Sequence, residues 1–516
     1  MSDQKRPELL ELERRLANTL DSARQDAADK RHERSNRTAR ENLEDLVDAG
    51  SFQEYGQLAV AAQRKRRNLE DLQVHTAADG VITGIARING KPTAVAVYDY
   101  SVLAGTQGHF HHKKLDRIFE LAEQQKLPFV LFAEGGGGRP GDTDVLTQVA
   151  GLNSTSFARW AGLSGRIPRI AVANGFCFAG NAALFGCADI TVATRSSWIG
   201  MAGPAMIEGG GLGIFKPTEV GPAEVLEKNG VIDVLCDDEA AATDVCKKLL
   251  AFFQGPVEPG EFSEQHILRD IIPADRRWGY PVRRVVDCLA DKGSFVELRR
   301  AWGRPIITGF MYVAGRPVGL LASDCQQLGG AIDAESAQKA ARFLQLCDAF
   351  GLPVVSLIDT PGFMVGPDSE KQSAVRRMSN LFTAGASLRV PLIAICLRKA
   401  YGLGAMALAG GSFTSPVYAA AWPTGEFGAM GLEGAVRLGF RKELEAIEDE
   451  AEREKLFQRL LAELVAQGRA TEAAAMLEID AVIDPADTRS VIIRALDASA
   501  SKPTSQGNAA RMVPVW

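Results

Sequence analysis

Val390-Pro391-Leu392-Ile393-Ala394-Ile395-Cys396-Leu397 leads without interruption into Arg398-Lys399-Ala400-Tyr401-Gly402-Leu403-Gly404-Ala405-Met406-Ala407-Leu408-Ala409-Gly410-Gly411. A buried strand that enters a glycine turn and then a helix of small residues aims unpaired backbone N–H groups at whatever sits above the turn. Such a cradle suits an oxyanion or a carbonyl. A lone glycine-rich turn is also compatible with a plain strand-to-helix connection, so its meaning depends on the rest of the chain.

The rest of the chain repeats it. Ile82-Thr83-Gly84 recurs as Ile307-Thr308-Gly309, an offset of 307 − 82 = 225. At the same offset Gly90-Lys91-Pro92 meets Gly315-Arg316-Pro317, and Gly105, Lys114 and Arg117 meet Gly330, Lys339 and Arg342. Leu127-Pro128 then meets Leu352-Pro353, Glu134 meets Asp359, and Gly137 meets Gly362. Trp198 pairs with Trp422 after a slip of one, and Gly50-Ser51-Phe52-Gln53-Glu54 is matched more loosely by Gly293-Ser294-Phe295-Val296-Glu297. A period this long indicates a duplicated domain and not a stacked array. Pro256, Pro259, Gly260, Pro273 and Pro281 mark the seam. The expected division is a charged helical arm over 1–48, one domain over 49–262 and a second over 263–516.

Within each copy, apolar runs (94–97, 129–133 and 169–173; 318–322, 354–358 and 392–397) alternate with helical stretches (114–124; 337–350). The fold class is therefore α/β, with glycine turns at helix N-termini along the carboxyl edge of a sheet, where ligands bind.

Composition narrows the function. A chain of 516 residues, 46% hydrophobic and 24% charged, is globular, and a net charge of −6 argues against nucleic acid as a partner. The charged opening and the lack of an apolar run of about 18 residues predict a soluble, cytoplasmic protein without membrane insertion. Eight cysteines, none in a C-x-x-C pair, read as reduced buried thiols. His109, His111 and His112 read as an exposed helix start; with Asp116 the only acid in reach, no metal is expected.

Two turns in each copy could carry chemistry: Glu134-Gly135-Gly136-Gly137-Gly138-Arg139 and Asn174 to Asn181 in the first, Asp359-Thr360-Pro361-Gly362-Phe363 and Tyr401-Gly402-Leu403-Gly404-Ala405 in the second. One N–H donor from each turn of a pair would form an oxyanion hole able to stabilise an enolate. Neither a Walker A motif nor a G-x-S-x-G elbow is present. Glu134 and Asp359, one per copy, read as strand-end residues before they read as an acid–base couple.

The chain also carries a resemblance. Gly175 to Asp189, GFCFAGNAALFGCAD, is similar to the crotonase-superfamily turn and helix that hold an acyl-CoA thioester. From Arg37-Thr38-Ala39-Arg40-Glu41 to Asp487-Thr488-Arg489, the chain resembles the carboxyltransferase β subunits of biotin-dependent acyl-CoA carboxylases of the propionyl-, acetyl- and methylcrotonyl-CoA type. The most specific motifs are Lys339-Ala340-Ala341-Arg342-Phe343, Asp359-Thr360-Pro361-Gly362-Phe363 with Gly366 and Glu370, Arg398-Lys399-Ala400-Tyr401-Gly402, Ala421-Trp422-Pro423 and Met430-Gly431.

The resemblance implies two tandem crotonase-like spiral domains, the first binding acyl-CoA and the second carboxybiotin. It implies a biotin carboxylase and a biotin carrier as separate partners, and a hexamer built from dimers. In the family, carboxybiotin releases CO2, the biotin anion left behind takes the α-proton of the acyl-CoA, and the resulting enolate attacks CO2, so no protein base is needed. Carried over, Gly137, Gly138, Ala179 and Gly180 lie on the thioester turns, and Gly362, Phe363, Leu403 and Gly404 on the biotin turns. Tyr401, Gly402 and Met406 complete the biotin side, with Met406 placed to influence acyl chain length.

Three departures stand out: Ala179 where the family has glycine, Leu403 within the second glycine turn, and no histidine in the segment that follows Gly203-Pro204. Other readings compatible with the residues are the carboxyltransferase of a biotin-dependent decarboxylase, a cofactor-free crotonase-type enzyme working through Glu134 or Asp142, and a non-catalytic CoA-binding protein.

Overall fold

Strands form where the sequence is continuously apolar, because a parallel strand covered on both faces has no polar face to alternate with. A computed structural model describes residues 5–145, 151–276, 278–499 and 511–516. They fall into two units, one reaching Gln254 and including 511–515, the other running from Gly255 and including Trp516. The division lies ahead of the 262/263 boundary read from the prolines. Val257 N–H donates to Gly315 O (2.8 Å) and Gly260 N–H to the Asp291 carboxylate (3.2 Å), which ties this stretch to the second unit.

Among the described residues, the first unit holds a seven-stranded sheet: Gln53–Tyr55, Val81–Ile88, Lys91–Tyr98, Phe129–Phe132, Arg169–Ala173, Ile190–Thr194 and Val234–Cys236, in spatial order. The first two pairings are antiparallel and the rest parallel. A short second layer pairs Phe176–Phe178 with Trp198–Gly200. The arm belongs to this unit. Its helix Ala39–Leu46 is closed by a capping box in which Thr38 and Glu41 satisfy each other's backbone N–H.

The second unit repeats the order with Val296–Leu298, Ile306–Val313, Arg316–Ser323, Val354–Thr360, Leu392–Tyr401, Tyr418–Ala421 and Ala481–Val482. Register tests the duplication directly. Ala94 faces Phe129, and Gly319 faces Val354, so both partners move by 225 (319 − 94; 354 − 129). Glu54 faces Gly84 as Glu297 faces Gly309, which bears out the looser match.

The Trp198–Trp422 correspondence does not hold. Arg169 is the partner of Phe129 and Leu392 that of Val354, an offset of 392 − 169 = 223. Trp198 faces Phe176 as Glu426 faces Lys399, an offset of 426 − 198 = 228. Trp198 therefore answers to Glu426, while Trp422 is a fully buried core residue whose indole N–H donates to Thr488 Oγ (2.8 Å).

The helix expected over 114–124 is His109–Gln125, and that over 337–350 is Ala334–Phe350. The histidine-rich start is not simply exposed. His111 is fully buried, its N–H donating to Asp79 Oδ2 (2.8 Å), and burial pushes its imidazole well below the ordinary value. All eight cysteines are free, and seven are buried. No helix among the described residues is long and apolar enough to cross a membrane.

Candidate active site

In the first unit, strand Phe129–Phe132 ends at the turn 134–138, and strand Arg169–Ala173 continues through Phe176–Phe178 to the helix Gly180–Gly186. Gly135 N–H donates to Phe176 O (2.7 Å) and Phe178 N–H to Gly135 O (2.9 Å), which draws the turns together. They are so close that a Cβ on Gly137, where φ is +91°, would lie 2.7 Å from the Ala179 Cβ.

The four residues named for this site divide into two kinds. Gly137 and Ala179 have committed N–H groups, donated to Asn181 Oδ1 (3.0 Å) and Gly200 O (2.9 Å). Gly138 and Gly180 do not. Gln107 bridges past Gly138, giving its N–H to Gly137 O (2.8 Å) and accepting from Arg139 N–H (2.8 Å), so the Gly138 N–H has no acceptor among the described residues. Gly180 opens its helix and has no intrahelical acceptor.

The second unit builds the same device. Ile332, the counterpart of Gln107 (332 − 107 = 225), gives its N–H to Gly362 O (3.0 Å) and accepts from Met364 N–H (2.8 Å), which leaves the Phe363 N–H without an acceptor among the described residues. With the offset of 223, Ala179 corresponds to Gly402, Gly180 to Leu403 and Asn181 to Gly404. The backbone agrees, since φ is +52° at Ala179 and +56° at Gly402. Leu403 N–H is thus the counterpart of Gly180 N–H, in the first turn of the helix Gly402–Leu408. The Leu403 side chain is 62% exposed and the donor is backbone, so leucine is compatible with the role.

Gly404 packs against the partner turn: a Cβ there would lie 2.7 Å from Gly362 Cα and 2.9 Å from Phe363 N. Gly362 N–H is braced by Thr360 Oγ (3.1 Å), where the first unit uses Asn181. Met406 is partly exposed. Tyr401 is buried, with its hydroxyl given to Glu426 Oε2 (2.8 Å), so it frames the turn through packing.

The carboxylates are occupied elsewhere. Asp359 is fully buried against Arg398 (3.0 Å). Glu134 receives both guanidinium nitrogens of Arg31 at 2.8 Å. Burial pushes its carboxyl up to about 7 against the pull of Arg31. Asp142 accepts from His109 N–H (2.8 Å) and Gln63 Nε2 (3.1 Å). The repeated lysines are structural. Lys114 Nζ donates to Ala78 O (2.8 Å), and Lys339 Nζ to Arg299 O (2.9 Å) and Trp302 O (3.0 Å). Sequence reading missed Arg31 and Asn181, whose roles depend on contacts 103 and 44 residues away along the chain, and Thr360, which braces Gly362 from within the quoted turn. Among the described residues no group of three His, Cys, Asp or Glu side chains is placed to hold a metal ion.

The model of the carboxyl transferase domain matches residues 30–513. The methylmalonyl-CoA carboxyltransferase 12S subunit of Propionibacterium freudenreichii subsp. shermanii is 34% identical over 92% of this chain and 90% of its own length. The biotin-dependent long chain acyl-coenzyme A carboxylase beta4 subunit of Mycobacterium tuberculosis is 32% identical over 95% and 93%. Among solved structures, a single-chain, multi-domain long-chain acyl-CoA carboxylase superposes with a TM-score of 0.90 at 52% identity over 95% of this chain, which spans 49% of that protein. A transcarboxylase 12S hexamer with methylmalonyl-CoA bound superposes with a TM-score of 0.85 at 31% identity over 98% of both chains. The crotonase-like fold class is shared.

Proposed function

This chain belongs to the carboxyl transferase domain family, and from that premise we propose that it moves a carboxyl group from carboxybiotin to the α-carbon of an acyl-CoA. The observation that carries the reading is the duplicated cradle. Each unit has two adjacent turns with one uncommitted N–H on each, Gly138 with Gly180 and Phe363 with Leu403.

In the first unit the thioester oxygen accepts from Gly138 and Gly180. When the α-proton passes to the nitrogen of decarboxylated biotin, a base from outside this chain, charge gathers on that oxygen, and fixed donors gain strength without having to reorganise. By the scale of oxyanion-hole deletions each is worth about 3 kcal/mol of barrier. Glu134, Asp142 and Asp359 are all paired or hydrogen-bonded, so the contribution of the chain is to stabilise charge and not to serve as base.

The second cradle fits a planar urea. Glycine at 404 lets its turn close onto the backbone of Gly362, which a Cβ would prevent, and the Phe363 and Leu403 N–H groups offer a ureido oxygen two donors. Carboxybiotin supplies the carboxyl group when bound there, with Met406 beside it.

A long acyl chain is the favoured substrate class. Gly200, whose carbonyl takes the Ala179 N–H, leads along the chain into a segment with Met206, Leu212 and Ile214 each at least 70% exposed, apolar side chains that an acyl chain could cover. The partners in this reading are a biotin carboxylase and a biotin carrier, with a homo-oligomer of the kind named for the 12S relative. The test is decarboxylation of malonyl- or methylmalonyl-CoA in the presence of free biotin, followed by carboxylation of short and long acyl-CoAs with a carboxylated carrier. Failure to transfer with every acyl-CoA and carrier offered would overturn the proposal.

A further inference from the structure

The two copies neutralise their strand-end carboxylates differently. In the second copy Asp359 is met by Arg398, from the adjoining strand Leu392–Tyr401. At the offset of 223 the counterpart of Arg398 is Gly175. No side chain fits there, because a Cβ on Gly175 would lie 2.2 Å from Glu134 Oε1. The guanidinium comes instead from outside the sheet: Arg31, on the arm helix Gln25–His32, grips Glu134 with two hydrogen bonds of 2.8 Å.

The arm continues along the same edge. Arg24 Nη1 donates to Asp99 Oδ2 (2.7 Å) just beyond strand Lys91–Tyr98. Asn36 Nδ2 donates to Asn174 O (3.4 Å) just beyond strand Arg169–Ala173. Arg37 N–H and Asn174 Nδ2 share Glu239 (2.9 and 2.7 Å). Three consecutive strand ends are thus held by one arm, and two of them, Glu134 and Asn174, open the two donor turns.

We propose that Arg31 is a positioning residue for the first donor turn: the arm supplies to the first copy the cation that the second copy carries internally at Arg398. An isolated buried carboxylate is strongly disfavoured in a low-dielectric interior, and proteins protonate it or rearrange instead. Without Arg31, Glu134 must take up a proton or move, and Gly135 to Gly138 follow it. The arm accordingly sets the geometry of the acyl-CoA cradle from outside the spiral. This assignment rests on the carboxyltransferase reading for its kinetic consequence but not for its structural one.

The experiment compares Arg31→Met, Arg31→Lys and the Arg31→Met/Glu134→Gln double variant in the full chain. Hydrogen–deuterium exchange is read over peptides containing 134–139 and 174–181, with 359–364 as internal reference. Arg31→Met should exchange faster in the first two and unchanged in the third, and should lose about tenfold or more in kcat with KM for acyl-CoA within about twofold. Arg31→Lys should fall between Arg31→Met and wild type. The double variant, whose amide needs no cation, should recover protection and part of kcat, and it carries the comparison if Arg31→Met does not fold. Wild-type exchange in Arg31→Met, or a double variant no better than the single, overturns the proposal. Faster exchange in a protein whose wild type transfers no carboxyl leaves Arg31 as the positioning residue and overturns the carboxyltransferase reading instead.

Discussion

Gly404→Ala tests the second cradle with a single methyl group. The added Cβ would lie 2.7 Å from Gly362 Cα and from Gly362 C, and 2.9 Å from Phe363 N, all backbone atoms that cannot swing aside. Ordinary contact begins at 3.4 Å, so the two turns must part by 3.4 − 2.7 = 0.7 Å. A donor held at about 2.9 Å from a developing charge would move to about 3.6 Å, outside hydrogen-bonding range. Removing one such donor costs on the order of a hundredfold to a thousandfold in kcat. The strain itself is expected to cost about 1–3 kcal/mol of stability, typical of one extra methylene in a packed site. A loss of that size leaves most of the stability of a domain in place, so the variant can be purified. The assay is biotin-dependent decarboxylation of malonyl-CoA, with acyl-CoA affinity measured separately by calorimetry. Gly439→Ala is the control, because a Cβ there meets nothing within 4 Å. Turnover within a few-fold of wild type would refute the cradle. A collapse of acyl-CoA affinity with turnover otherwise intact would refute the division of labour between the two units.

Other variants probe the first unit. Ala179 sits at φ +52°, ψ −119°, a conformation suited to glycine, so Ala179→Gly should relieve about 1–3 kcal/mol of strain and return about 0.4–1 kcal/mol through unfolded-state entropy. The net outcome is a melting transition raised by a few degrees, and a lowered one would show that the site is not strained. Asn181→Ala removes the acceptor of Gly137 N–H, 3.0 Å away, and should lower acyl-CoA turnover about tenfold, while its counterpart change Gly404→Ala acts by crowding; unchanged kcat/KM would show that the brace is dispensable. Glu134→Gln tests charge. Burial raises the folded carboxyl from 4.5 to about 7, with Arg31, Glu239 and Asp99 facing it, so between those values the native state binds more protons and stability falls as pH rises. The amide should flatten that fall by about 3 kcal/mol at most, and parallel stability–pH curves for the two proteins would refute the assignment.

What could be read from the chain depended on how rigidly each part is built. The offset of 225 held through the pairings of Gly84 with Val95 and Gly309 with Leu320, because a ladder of hydrogen bonds tolerates no insertion without turning its side chains over. It became 223 by Leu392 and 228 by Glu426, where connecting loops differ in length, so two tryptophans that looked paired are not. The turns were legible for a related reason: Gly137, Gly362 and Gly404 lie where a Cβ or an ordinary φ is excluded, and that requirement shows in the local sequence. Their supports were not. Arg31 reaches Glu134 across 103 residues, and no property of either segment announces the other.

The two copies also brace equivalent backbone with different side chains. Asn181 Oδ1 accepts from Gly137 where Thr360 Oγ accepts from Gly362, and the positions exchanged are Gly404 for Asn181 and Gly135 for Thr360. A change that removes a side chain in one turn is matched by one that adds a hydroxyl in its neighbour, so the brace is kept while identity at each position is lost. Residue-by-residue comparison of the copies therefore understates how alike the two cradles are. The quantity held constant is the uncommitted N–H at Gly138 and Phe363, which is set by the backbone bridge to Gln107 and to Ile332 and not by any side chain.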